Sequence, residues 1–290
     1  VVIQTGAGDD GVDFIGAFTE IGGKFSFTSA NTLAENASVR FGALSTVIGG
    51  DVDLTGGQGR LFVAFVEDGR VAIGGGVLLT STGVEGSLFL GNDGKLAIGK
   101  RASGASITLD VDGESYVEIL SLRAQLAGGI RVDGGNGEKS VTVGGDDSRV
   151  VVGALPSGES VLYLGGSGRD DLLFGGNVKL AGAVVFEAGN GTNALDFYED
   201  QTSISIGQVG GRSVVFTGGN GADSFNSTAA RVKLAGGIEF DGGGGDNGIG
   251  FGNPSALLSV GATPGSRSLA FTGGAGSDTV SISGQKLVFQ

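Results

Sequence analysis

Apolar and polar residues alternate in runs of a few positions along the whole chain, and Gly or Asn breaks the runs. At the C-terminal end the runs are LAF (269–271), TVSIS (279–283) and KLVFQ (286–290). Before them come IEF (238–240), GIGF (248–251) and ALLSV (256–260). Alternation of this kind turns one side chain inward and the next outward, the signature of a half-buried strand. Gly and Asn at the junctions supply the positive φ angles of sharp corners. No helical period occurs, and the glycine density would weaken a helix by ~1 kcal/mol per Gly relative to Ala.

The runs recur. IRVDGGNG from Ile130, VVFEAGNG from Val184 and IEFDGGGG from Ile238 start 54 residues apart. A second family, VLYLGGSG from Val161, VVFTGGNG from Val214 and LAFTGGAG from Leu269, interleaves at spacings of 53 and 55. Extended toward the N-terminus, the pattern anchors at Val1, Phe25, Val52, Val77, Ile107, Ile130, Val161, Val184, Val214, Ile238 and Leu269. The successive spacings are 24, 27, 25, 30, 23, 31, 23, 30, 24 and 31. Three short strands per unit of about 27 residues predict a three-sided parallel β-helix of eleven coils, paired into a double coil of about 54 residues. Parallel crossovers are overwhelmingly right-handed, so the coil is expected to be too. Eleven strands at ~4.8 Å give a rod of roughly 50 Å.

The tracts RVAIGGGV (70–77), RAQLAGGI (123–130), NVKLAGAV (177–184) and RVKLAGGI (231–238) are read as leading into short coils. The loops ALPSGES (154–160) and ATPGSRS (262–268) are read as entrances to long ones. Pro156, Pro254 and Pro264 fall in loops, where a missing amide donor forfeits no ladder bond. No linker divides residues 1–290, so the chain reads as one solenoid. It begins and ends inside strand patterns without an amphipathic cap, which suggests a piece of a longer repeat protein.

Composition narrows the class. Among 290 residues there are 61 Gly, 3 Pro and 17 Phe, and no Cys, Met, Trp or His. Collagen would need Gly at every third position and abundant Pro. Disorder would need fewer apolar residues. The net charge of −13 argues against nucleic acid, whose binding requires clustered cations, and against anionic membranes. No run approaches the ~20 apolar residues of a membrane helix. Without Cys there are no disulfides or thiolate sites, and without His the commonest general base is missing. The acidic exterior is expected to keep rods soluble.

GGAGSDTVS (273–281), GGNGADSFN (218–226) and GGSGRDDLL (165–173) match the G-G-x-G-x-D-x-U-x nonapeptide and so resemble the Ca²⁺-binding turns of RTX proteins. The resemblance implies Asp170, Asp223 and Asp278 as ligands. The match is partial. RTX turns run in tandem, whereas here one falls in each three-strand coil. Intervening coils place Lys139, Asn193 and Asn247 at the Asp position, and GGQGRLFVA (56–64) has no carboxylate there. Lysine in that row would repel a cation, and Gly-rich corners are also required by sterics alone. In its architecture and Gly-rich corners the whole chain resembles long bacterial extracellular β-helix repeat proteins, such as filamentous-haemagglutinin-like adhesins and surface-layer components. That resemblance implies a cell-surface location and a structural or adhesive role. It further implies self-association, end-to-end or lateral, or binding to cell-surface or polysaccharide ligands.

Catalytic readings lack their parts. The carboxylate pairs Asp9/Asp10, Asp146/Asp147, Asp170/Asp171 and Glu199/Asp200 could serve a sugar-cleaving β-helix only if burial separated their pKa values. The tyrosines Tyr116, Tyr163 and Tyr198 are scattered, and no insertion builds a cleft. GGNGEKS (134–140) lacks the spacing and following helix of a phosphate loop. Phe186, Phe216, Phe240 and Phe271 share one position and form an inward stack. Thr55, Thr217 and Thr272 recur outside, but Asp133, Glu187 and Asp241 interrupt them and spoil an ice-ordering array. No catalytic, cofactor or metal residue is therefore assigned.

Overall fold

The computed structural model describes residues 1–65, 69–91, 94–199, 201–263, 265 and 267–290. Its 33 strands form three parallel sheets of eleven, and every third strand along the chain joins the same sheet. Each coil supplies one strand to each sheet. In the ninth coil these are Arg212–Gly218 in sheet 1, Ser224–Ser227 in sheet 2 and Arg231–Leu234 in sheet 3. Ten of the eleven anchors stack in sheet 1: Phe25 pairs with Val52, Val77 with Ile107, and so on to Ile238 with Leu269, while Val1 immediately precedes the first strand, Val2–Thr5. The protein is an all-β solenoid of eleven coils.

Alternation decides which face is buried. Along Ser203–Ile206 and Arg231–Leu234 the second and fourth residues are buried while the first and third face outward. The inward residues form one continuous apolar core running through the coils. The predicted phenylalanine stack lies in sheet 1, where Phe186, Phe216, Phe240 and Phe271 follow one another at ring-centroid distances of 5.1, 4.5 and 5.2 Å. Tyr163 extends it at 4.7 Å from Phe186. Sheet 2 carries a second stack, Phe174, Phe197, Phe225 and Phe251, with rings edge to face at 5.7, 5.0 and 5.4 Å. Such pairs add ~0.5–1.5 kcal/mol beyond area burial.

Corners need glycine because one coil's backbone lies directly over the next. At Gly221, φ is +145° and a Cβ would lie 1.9 Å from the Gly191 carbonyl oxygen. No side chain fits there.

Coil length is set differently from the sequence reading. The LAGG-type tracts close the short coils and lead into the long ones. Val77, which follows the first such tract, pairs with Ile107 thirty residues later. The 154–160 loop closes the long coil from Ile130, since Val161 pairs with Val184 only 23 residues on. The reason is local. A long coil carries its extra residues in the corner before its closing anchor, and the register there skips one residue between Ala105 and Ile107, Glu159 and Val161, and Arg212 and Val214. Loops of alternate long coils reach across the short coil between them, so a Cβ on Gly104 would strike Pro156 and one on Gly158 would strike Val209. Pro156 and Pro254 occupy turns. Pro264 lies outside the described residues.

Phe216 is buried between two aromatic neighbours. Phe216→Ala is expected to cost about 3–5 kcal/mol, read as a lowered denaturant midpoint in equilibrium unfolding.

Candidate functional site: a buried polar ladder

The residues singled out by the nonapeptide match do come together, but inside the rod. Lys139, Asp170, Asn193, Asp223, Asn247 and Asp278 occupy one inward column on six successive strands of sheet 2, next to the paired positions Ser140–Asp171, Asp171–Ala194, Ala194–Ser224, Ser224–Gly248 and Gly248–Thr279. The first five are at most 2% exposed, and Asp278 on the last coil is half-buried. Polar side chains so placed must find partners or cost ~1–3 kcal/mol each.

They find them by alternating donor and acceptor. Lys139 Nζ donates to the carbonyls of Gly135 at 3.1 Å and Gly137 at 2.8 Å. Two coils on, Asn193 Nδ2 donates to Gly189 and Gly191 and, at 2.7 Å, to Asp223 Oδ1. Two coils further, Asn247 Nδ2 donates to Gly245 at 3.0 Å. Backbone amides link the rungs. Asp170 N donates to Asn193 Oδ1, Asn193 N to Asp223 Oδ1, Asp223 N to Asn247 Oδ1 and Asn247 N to Asp278 Oδ1, all at 3.0–3.2 Å. Tyr163 Oη donates to Asp170 Oδ1 at 2.9 Å and thereby satisfies the one large polar group in the aromatic stack.

Electrostatics follow from burial. Burial raises the Asp170 carboxyl from 3.8 to about 6, against the opposing pull of the Tyr163 hydroxyl and of Lys139. Asp223 is also raised by burial, with Asn193 opposing. Lys139 is lowered by burial, against the charge of Asp170. The Oδ2 atoms of Asp170 and Asp223 have no hydrogen-bond partner among the described residues, which fits carboxyls that hold a proton readily.

This column does not fit a shared Ca²⁺. Calcium takes six to eight oxygens, with clustered carboxylates and turn carbonyls. Here the turn carbonyls are taken by Lys139, Asn193 and Asn247. The carboxylates fall on alternate coils, about 9–10 Å apart at the spacing of parallel strands. Among the described residues no group of three or more acidic side chains is placed to hold a metal. Lysine in the row is part of the ladder rather than a defect in a metal site.

The carboxylate pairs are dispersed as well. Asp170 points inward while Asp171 points outward to Arg169, at 2.9 Å. Asp9 sits on an exposed corner and accepts from the Asn36 amide at 2.7 Å, whereas Asp10 is half-buried. Asp146 and Asp147 are exposed in a turn. Glu199 reaches Asp146 across the short coil between them, and burial together with that contact raises its pKa. Asp200 lies outside the described residues. Tyr116 is exposed on sheet 2, Tyr163 is in the core and Tyr198 donates to the Gly144 carbonyl at 2.9 Å, so the three share no surface.

A second ladder had no counterpart in the sequence reading. Ser106, Ser160 and Ser213 are the residues skipped at three of the register shifts of sheet 1. Each hydroxyl donates within its own coil to Gly99, Gly153 or Gly207, at 2.5, 2.6 and 2.6 Å. Each also accepts from the next coil's Gly128, Gly182 or Gly236 amide, at 2.7–2.8 Å. Their spacing of 54 and 53 residues was the available signal.

No protein-family model, curated protein or solved structure matches the chain.

Two outcomes follow. A carboxyl whose folded pKa lies above its unfolded value binds more protons folded than unfolded between the two, so stability is greatest below the lower pKa and falls as pH rises. For Asp170 that window runs from 3.8 to about 6, and the loss is on the order of 3 kcal/mol. Denaturation at several pH values is expected to show that the wild type loses this increment relative to Asp170→Asn across the window and keeps a constant offset above it. Circular dichroism and melting are expected to be the same with Ca²⁺ as with a chelator.

Proposed function

We propose that this solenoid is an extracellular structural or adhesive element: a rigid stalk, filament subunit or component of a surface layer or matrix. The observation that carries the reading is the continuous stack of three parallel sheets of eleven strands over one core, with no inserted domain or cleft between coils among the described residues. Stacked backbone ladders and aromatic columns resist bending, which is what a stalk or fibre needs. The likeness in architecture to filamentous-haemagglutinin-like adhesins and surface-layer components supports a cell-surface location. Among the described residues no helix is long and apolar enough to cross a membrane.

The role is proposed to be non-catalytic, because the candidate carboxylates are split between the core, opposite strand faces and separate corners. Partners are proposed to be further copies of the chain, end-to-end or lateral, or cell-surface and polysaccharide ligands, rather than nucleic acid.

Negative-stain microscopy of the native material tests this. Straight filaments, stalks or ordered lattices are expected. Isolated particles that bind neither cells nor polysaccharide, and that associate with nothing, would sink the reading.

A further inference from the structure

The net charge of −13 hides a strong asymmetry around the rod. The ten strands of sheet 3 from Ser45–Ile48 to Lys286–Phe289 carry eight cations and no carboxylate. Arg70, Lys95, Arg123 and Arg149 occupy the first position of four successive strands, paired in register and exposed. Lys179, Arg231, Lys233 and Lys286 continue the face, also exposed. The residues between them are uncharged: Ala72, Ala97, Gln125, Val151, Ser205 and Ser259.

Sheet 3 together with the corner that follows each of its strands holds 12 of the 18 Lys and Arg but only 2 of the 31 Asp and Glu. That is +10, against −23 for the remainder. The exterior is therefore not the uniformly acidic coat expected from composition. On sheet 2 carboxylates instead line successive strands: Glu85 pairs with Glu114, and Glu138 extends the column, with Glu118 beside it. Burial raises the pKa of Tyr116, and Glu114, Glu138 and Glu85 raise it further.

We propose that sheet 3 is a lateral docking face for a second copy of this chain, which presents its acidic sheet 2 side. Both surfaces belong to the same solenoid, so their charges repeat at the same strand spacing of ~4.8 Å. Two rods laid side by side can therefore set the run Arg70, Lys95, Arg123 and Arg149 of one against the column Glu85, Glu114 and Glu138 of the other, coil for coil. Exposed pairs are individually weak and screened by salt, so the contact depends on their number along the rod. It is heterologous, with unlike faces meeting, and such contacts propagate into arrays unless rotation closes them. Nucleic acid suits the face poorly, because among the described residues its one exposed aromatic, Phe289, lies on the last strand and no aromatic stands along the cations for bases to stack on.

The contact rests on the structural reading above, and the two fail separately. Native filaments alongside a purified chain that stays monomeric would remove the contact and leave the reading. The experiment is sedimentation equilibrium of the whole chain from low to high NaCl. Wild type is expected to exceed the 28.6 kDa monomer mass at low salt and to return to it at high salt. The variant R70E/K95E/R123E/R149E is expected to be monomeric alone, yet to co-sediment when labelled and mixed with wild type, since it keeps its acidic faces. The milder R70Q/K95Q/R123Q/R149Q variant should weaken association without reversing charge, and circular dichroism checks that both variants fold. The proposal is overturned by a monomeric wild type at low salt, or by association that survives high salt or the four substitutions. It is overturned equally if monomeric wild type is captured by polygalacturonate through these four residues, which would make the face a site for a foreign polyanion.

Discussion

In a parallel solenoid every residue lies ~4.8 Å from its counterparts in the coils on either side, and that proximity governs each column in turn. Apolar columns meet it by packing against themselves, as Phe186, Phe216, Phe240 and Phe271 do. Corner backbones meet it by giving up side chains, as at Gly221 under the Gly191 carbonyl. Buried charge cannot stack on itself. The inward column of sheet 2 therefore sets Lys139 beside Asp170 and Asn193 beside Asp223, with each turn's carbonyls bound by the donor within it. The 54-residue repeat is the chemical period of that alternation as well as a period of chain length.

Outside, the same proximity acts with water to soften it. Like charges can follow one another up sheet 3 because solvent screens them, and a rod with one cationic and two acidic sides results. A molecule of this kind has a lateral polarity that net charge does not express. The backbone ladders run along the rod, and the segregated charges give it sides that differ.

The anchors and coil number could be read directly because alternation and corner glycines are written in adjacent residues, such as Val214, Phe216 and Gly218. The sheet 2 aromatic stack was less visible, since Phe174, Phe197, Phe225 and Phe251 sit in strands whose register only the fold fixes. The burial of Lys139 was not legible because lysine is almost never fully buried, and nothing nearby announces the Gly135 and Gly137 carbonyls that hold it. Ser106, Ser160 and Ser213 escaped notice because serine in a loop is unremarkable until the register shift turns its hydroxyl between two coils. The short and long coils were assigned the wrong entrances because a corner tract belongs equally to the coil it closes and the coil it opens. Charge segregation was lost in the average of 18 cations and 31 carboxylates.

The donor–acceptor order of the inner ladder also limits how such a molecule can grow or shrink. Excising the single coil 184–213 would set Asp170 directly against Asp223, two buried carboxyls with no amide between them. Excising that coil with the one after it would set Asp170 against Asn247, and with the one before it Lys139 against Asp223, so either pair restores a donor–acceptor contact. Within the six coils from Lys139 to Asp278, the ladder therefore distinguishes a change of one coil, which breaks the alternation, from a change of two, which keeps it.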